Sequence, residues 1–493
     1  MKRFFSHPLV ALLAGLCLRL FFVLKFPAAS GDTVLYEQMA ANWLQHHVYA
    51  MNVDGTVLAV DLRMPGYPAY LIAIYLISGK IGTAAHLAVM LGQVLVDLMG
   101  CVAIAALAAA LPAPRENAPS TNRVFIGGLW LAALCPLTAN YTAVLLTETF
   151  AIFLTASAFL FLAALLANFD EPPFRSAPQR FSKVHYEWWA IMMGLAVGVG
   201  TLFRPETPLV LLAAWLGMAV VYIPRHRAKP AVRIIAFTAV ACILPLLPWA
   251  VRNAITLHEI QFLAPKNSNL PGELVPYGFL SWEKTWLFRM RDCYLAAWKL
   301  NGESIQVASL PSRAFDNADE RSRVAAILEN YNNDLTLTPE EDAAFAQLAR
   351  ERTARHPLRT YFLLPAARAF TLWFTPRIEL LPVSGTVFPL AQSWEDDKLD
   401  QSVTVGFFFL NIAYVLLGIC GAWKLWRWNP ASHPVVIIMV LFVLLRTAFL
   451  TTLETPEPRY VLECYPILLA FAATLFRKHQ RVANSGAVTL GAK

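Results

Sequence analysis

Apolar runs of 16 to 26 residues recur along this chain, and the polar segments between them carry nearly all of its charge. Crossing a hydrocarbon core takes roughly 17 to 25 mainly apolar residues. By that measure residues 9–26, 86–111, 149–169, 232–251, 402–426 and 434–453 are strong spans. Residues 124–139, 188–203, 208–223 and 460–476 are shorter or broken by proline, and are expected to cross as well, which makes about ten spans. The pattern predicts an all-α polytopic membrane protein. The run 9–26 is too long for the apolar core of a signal peptide and no small-residue cleavage site follows Phe26, so it is expected to be a retained first span.

Between 252 and 401 the pattern changes. Residues 254–300 are rich in Trp, Tyr and Pro, and 311–356 are polar with helical periodicity. TPEEDAAFAQLARERTARHP predicts a helix capped by Thr338, with Pro339 and acids in its first turn. LRTYFLLPAARAFTLWF, 358–374, is apolar, yet Pro365 and Arg368 interrupt it, so a helix lying on or dipping into the surface is expected. This gives four parts: a transmembrane core 1–251 with a first outer loop 27–85, an extracytoplasmic or interfacial helical segment 252–401, C-terminal spans 402–480 and a tail 481–493. Trp282, Trp286, Trp298, Trp373 and Trp394 are read as interface anchors or as platforms for sugar rings, and Asp396, Asp397 and Asp400 as a solvated face.

Composition agrees: 57% of the 493 residues are hydrophobic and 15% are charged, against about 25% charged in an ordinary soluble domain. The net charge of +7 is scattered over loop ends, not gathered in one basic stripe, which argues against nucleic acid as a partner. Most of the seven cysteines lie inside spans, and no disulfide framework or CxxC metal site is visible.

Charge placement sets the orientation instead. Lys2 and Arg3, Arg115 and Arg123, Arg175, Arg180 and Lys183, Arg225, Arg227, Lys229 and Arg233, Arg427, and the tail residues Arg477, Lys478 and Arg481 all fall on alternate connections. By the positive-inside rule these face the cytoplasm, with both termini. The outward connections are then 27–85, the turns near 140–148, 204–207 and 454–459, and 252–401. Arg63, Arg204, Arg252 and Arg459 break the rule by standing on that outer side, and Arg19 and Arg446 lie within spans toward it. An arginine buried at mid-span costs about 2.5 to 3.5 kcal/mol and is usually partnered or faces a polar cavity. The acids on the same side are Asp32, Glu37, Asp61, Glu148, Glu206, Glu454 and Glu457. An Arg-rich cavity opening outward is the functional expectation, and snorkelling of single arginines to lipid phosphate is the plain alternative.

The outer helix ends carry GDTVLYEQMA (31–40), RMPGYPAY (63–70), TETF (147–150), LFRPE (202–206), PWAVRN (248–253) and ETPEPRYVLECYP (454–466). PGYP reads as a rigid elbow that fixes Arg63. In their order along the chain these stretches resemble the GT-C membrane glycosyltransferases, in particular glycosyltransferase family 39 and its bacterial relatives, the protein O-mannosyltransferases and the aminoarabinose transferases of lipid A. The resemblance covers nearly the whole chain through short motifs. It implies the GT-C architecture with about 10–12 transmembrane helices and an outer helical module. It also implies transfer of a sugar from a polyprenyl-phosphate donor to a hydroxyl acceptor on a glycan, lipid or protein. The setting would be the extracytoplasmic face of a bacterial inner membrane, among membrane lipids.

The same resemblance assigns roles. Asp32 matches the catalytic carboxylate of the first outer loop, a general base. Glu148 matches an acid before the fourth span. Arg63 matches a basic residue that contacts phosphate, with Arg204, Arg252 and Arg459 as further cations and Tyr460, Tyr67 and Lys266 as added substrate-binding groups. The structural alternatives are a solvated loop acid or helix N-cap for Asp32 and a cap of the fourth span for Glu148. A polyprenyl phosphate leaves as a stable anion, so guanidinium groups are expected to take the place of a metal and no cofactor is expected, although a divalent ion remains open. Two other functions compete: a carrier or flippase of lipid-linked sugars, whose charges belong near the bilayer midplane, and an O-antigen ligase or polymerase with a large late outer loop.

Overall fold

The computed structural model describes residues 7–111, 118–169, 186–225, 227–267, 269–270, 272–383, 387 and 397–477. Lys2, Arg3, Arg115, Arg175, Arg180, Lys183, Lys478, Arg481, Trp394, Asp396 and the tail 481–493 lie outside the described residues.

The described residues form a helical bundle. Helix α1, Pro8–Lys25, begins on a proline behind His7, whose ring accepts from the Leu9 N–H. After a turn comes α2, Gly31–His46, capped by Ser30 with Thr33 reaching back to its backbone. The chain then makes a hairpin that the sequence reading did not contain: β1, Ala50–Val53, pairs antiparallel with β2, Thr56–Ala59. Its turn is Asp54–Gly55, both at positive φ, the two-residue signal that closes tight hairpins. Helix α3, Gly66–Ser78, leads to α4, His86–Ala110. Helix α5, Ala118–Ala133, bends by 50° at Pro136 and continues to Ala143.

Next come α6, Glu148–Phe169, α7, Tyr186–Thr201, and α8, Leu209–Tyr222. Helix α9, Ala228–Ile243, runs through a single tight turn at Pro245 into α10, Leu247–Thr256. The module contains α11, Tyr277–Lys284, α12, Ala318–Asp334, α13, Pro339–Arg355, and α14, Leu364–Trp373. Helices α15, Lys398–Trp428, α16, His433–Leu450, and α17, Tyr465–Ala473, return to the bundle.

Among the described residues, seven helices are long and apolar enough to cross a membrane, or eight with the bent α5 counted as one. The other two expected runs are α7 and α8, of 16 and 14 residues. At 1.5 Å per residue they reach about 24 and 21 Å, short of the roughly 30 Å core. The elbow 202–208 between them cuts both, and it delivers Arg204 to the bundle end. The outward surfaces of the spans carry Leu13, Leu95 and Val240 half or more exposed, as a lipid solvent requires. The core runs between α4, α6, α7, α8, α16 and α17.

Thr338 caps α13 with Glu341 reciprocating and Pro339 at the first position, as the sequence predicts. The module has its own core of Phe279, Trp282, Trp286, Tyr331 and Phe345. Helix α14 is not among the spans; Arg368 in its middle is buried and donates to the carbonyls of Lys284, Leu287 and Thr451.

Arg19 does not belong to the outer cavity that the charge pattern suggested. It is fully buried between α1, α4 and α5, paired with Asp97 at 2.5 Å, and donates to the Gly15 and Ala133 carbonyls. It ties three helices together inside the bundle.

Candidate active site

The end of the bundle where α1 stops and α6 starts holds a cavity of about 820 Å³. Its walls include the first turn of α2, the elbow before α3, the start of α6, the 203–206 elbow, and the 457–460 turn. The module adds Met290, Tyr294 and Trp298 to its lining.

Asp32 sits in the first turn of α2, where Ser30, and not Asp32, is the cap. Its carboxylate is therefore free to turn inward. One oxygen accepts from Arg63 at 2.8 Å and the other from Arg459 at 2.9 Å. Burial pushes the Asp32 carboxyl up, but Arg459 and Arg63 outweigh it and hold it below the usual carboxylate range. Asp32 is ionised and doubly clamped.

Arg459 is the bridge of the site. Its guanidinium meets Asp32, Glu457 at 2.7 Å and Glu148 at 3.5 Å. Glu148 is the first residue of α6, so it also faces the positive end of that helix. Arg204 donates to the same Glu148 oxygen at 3.1 Å, while the second Glu148 oxygen is buried with no hydrogen-bond partner among the described residues.

Behind this front row is a second one. Arg204 lies 3.0 Å from both Glu206 and Glu463, and Arg446 meets Glu463 at 2.6 Å and Glu206 at 3.4 Å. Burial raises the Glu206 pKa, but Arg204 and Arg446 pull it down to about 2. Alternating charges of this kind are rigid because removing one member strands its neighbours without compensation.

Tyr460 lines the cavity, lies under the Arg204 guanidinium at 4.8 Å and donates to Glu457 at 2.7 Å. Lys266 lines it from the 257–276 connection and pairs with Glu454 at 2.7 Å. Thus Asp32, Glu148, Arg63, Arg204, Arg459, Tyr460 and Lys266 share one cavity.

Two candidates stand elsewhere. Arg252 is held between the Tyr49 and Trp249 rings and donates to the Tyr49 and Val60 carbonyls, fixing the hairpin segment to α10. It lines a separate apolar cavity of about 360 Å³. Tyr67 is fully buried behind the cavity wall, donates to Gln93 at 2.6 Å, and packs its ring against Tyr36, which does line the cavity.

Glu463, Glu379 and Tyr36 were absent from the sequence-derived set. Glu463 follows Arg459 by four residues and lies in a buried segment, a legible reason for it to be paired. Glu379 reaches the cavity and accepts from Tyr141 at 2.8 Å, a partnership 238 positions away that no local pattern announces.

No family model matches the chain, and no curated protein matches it. Solved structures are similar in fold. The Archaeoglobus fulgidus oligosaccharyltransferase AglB, in complex with an inhibitory peptide and a dolichol-phosphate, aligns at 11% identity with a TM-score of 0.49, covering 95% of this chain and 49% of that one. The same archaeal enzyme with Zn and sulfate gives 11% and 0.49. ArnT from Cupriavidus metallidurans bound to undecaprenyl phosphate gives 14% identity and a TM-score of 0.41, covering 94% of this chain and 77% of that one. The chain spans about half the length of the archaeal structures it matches. At these identities and scores the likeness concerns the path of the chain and carries nothing about its chemistry.

Proposed function

We propose that this integral membrane protein is a GT-C-type glycosyltransferase that moves a sugar from a polyprenyl-phosphate donor to a hydroxyl acceptor at the extracytoplasmic face, with inversion. The observation that carries the reading is the single guanidinium of Arg459 standing between Asp32 and Glu148, with Arg63 on the other Asp32 oxygen, in a cavity at one end of an apolar bundle.

The chemistry follows from that arrangement. The acceptor hydroxyl oxygen attacks the anomeric carbon, the bond from that carbon to the phosphate oxygen breaks, and its electron pair leaves on the phosphate. The hydroxyl proton goes to Asp32. Arg63 is the first group to receive the phosphate, as it is a quarter exposed and its planar fork matches two phosphate oxygens. A phosphate that draws Arg63 and Arg459 away from Asp32 leaves burial unopposed there, which raises the basicity of Asp32 when a base is needed. Arg459 supplies positive charge between the two carboxylates, so the proposed step needs no metal there.

The front-row charges gather at one bundle end, where a carrier would hold them near the midplane. The test uses the protein in sealed vesicles with polyprenyl-phosphate-linked sugar supplied in either leaflet. Release of polyprenyl phosphate with glycosylation from the outer leaflet, abolished in Asp32→Asn with unchanged thermal unfolding, is the expected result. Sugar crossing the vesicle wall without bond cleavage, or cleavage undiminished in Asp32→Asn, would refute the proposal.

A further inference from the structure

The fold sorts the tryptophans of the outer segment. Trp282 and Trp286 are buried in the module core, and Trp373 donates to Thr447 at the bundle. Trp298 differs: it is 41% exposed and lines the large cavity beside Tyr294, itself 56% exposed. Their rings meet edge to face with centroids 4.4 Å apart at 86°. Two adjacent aromatic rings with open surfaces thus face a cavity whose other wall is ionic.

We infer that Tyr294 and Trp298 form the acceptor subsite of this cavity and take a pyranose ring, so that the acceptor is a glycan. This rests on the transferase reading above and names its second substrate.

Position decides which substrate the pair serves. The donor's isoprenoid tail must stay among the bundle helices while its phosphate meets Arg63 and Arg459 on the bundle wall. Tyr294 and Trp298 belong to the segment between α11 and α12, a part of the chain that carries none of those arginines. Both rings are more open to solvent than Asp32, whose side chain is 23% exposed.

Chemistry decides the class. A pyranose has one face of C–H groups and a rim of hydroxyls. The C–H face covers an aromatic ring and removes its apolar surface from water, while the rim needs acceptors and donors within reach. Glu457, Glu379 and Lys266 line the same cavity and supply both. A phosphate would gain nothing from the aromatic pair. An isoprenoid would cover that polar rim and take it out of water without offering it a hydrogen bond.

The experiment measures sugar binding without donor, so it stands apart from catalysis. Saturation-transfer NMR is recorded on the full chain in nanodiscs with three methyl-capped trisaccharides, of β-1,4-glucose, β-1,4-N-acetylglucosamine and α-mannose, and with a Ser/Thr-rich peptide. At least one trisaccharide is expected to receive saturation on its ring C–H protons. Affinity should fall about tenfold in Trp298→Ala and recover in Trp298→Phe. Tyr294→Ala is expected to act in the same direction. Thermal unfolding of each variant identifies any that has lost its fold. The inference is overturned if none of the trisaccharides binds, if binding ignores position 298, or if the peptide alone binds. Sugar binding that follows Trp298 in a protein that cleaves no donor would keep the glycan site and remove the transferase reading.

Discussion

At the scale of single residues, the strongest statement concerns the state of Asp32. Two arginines hold it ionised against burial, so an activity that needs the carboxylate should persist well into acid. Arg63→Ala removes one of them while burial remains. The Asp32 pKa then rises, and the acid limb of the kcat/KM profile is expected to move to higher pH, with the plateau lowered about 10² to 10³-fold by the lost phosphate contact. A lowered plateau with an unmoved acid limb would separate Arg63 from Asp32. Glu283 in α11 shows the opposite sign. It is fully buried, neither carboxylate oxygen has a hydrogen-bond partner among the described residues, and burial with some repulsion from Glu454 raises its pKa well above the ordinary glutamate value. The folded chain keeps a proton that the unfolded chain releases, so the stability it contributes is full below the ordinary value and is lost as pH rises toward the raised one. Glu283→Gln should therefore be more stable than the wild type at pH 8 by about 1–3 kcal/mol, seen as a higher unfolding temperature, with the difference vanishing near pH 4. An equal difference at both pH values would show that Glu283 is not protonated in the fold.

At the scale of elements, the elbow at Gly66 shows how a contact sets a catalytic position. The Gly66 N–H donates to the Leu202 carbonyl at 2.7 Å, and a Cβ on residue 66 would stand 2.5 Å from that same oxygen. Neither backbone can retreat without carrying Arg63 or Arg204 with it. Gly66→Ala is expected to cost about 1–3 kcal/mol and to raise the KM for donor, whereas Gly31→Ala, where nothing lies within 4 Å, should be near neutral in both. Thermal unfolding and donor titration check the pair. This elbow was readable from PGYP, as were the spans, because apolar length and proline act locally. The hairpin at Asp54–Gly55 was equally local and was missed because its strands are only four residues long and do not alternate cleanly. What a sequence cannot display is the direction in which an end-of-helix side chain turns. Arg63 and Arg252 look alike as outer cations, yet one meets Asp32 and the other is taken up by the Tyr49 and Val60 carbonyls. Arg19 was legible as a residue needing a partner, but Asp97, 78 positions on and inside a span, was not foreseen as that partner.

At the scale of the molecule, the proposed catalysis and acceptor binding fall on two bodies of structure, the bundle with Asp32, Glu148 and Arg459 and the module with Tyr294 and Trp298. Their spacing depends on what joins them at the 451–457 loop, which leads directly into Arg459. Arg368 spans that junction by donating to Lys284 and Leu287 of the module and to Thr451 of the loop. Glu454 adds a second tie, accepting from Lys284 and Lys266 at 2.7 Å each. Lys266 and Lys284 retain exposure, so their pairs are worth no more than about 1 kcal/mol apiece. Arg368 is buried and satisfies three carbonyls at once, and its loss strands all of them. Arg368→Met keeps the length of the side chain and removes the donors. Hydrogen exchange is expected to quicken across α11 and the 285–300 segment while α4 and α6 stay protected, and acceptor KM should rise by more than kcat falls, because Asp32 and Arg459 remain on the bundle. Lys284→Gln should show the same pattern weakly. Protection lost equally in the bundle would mean that the module is part of one cooperative unit, and unchanged exchange would mean that Arg368 does not hold the two together.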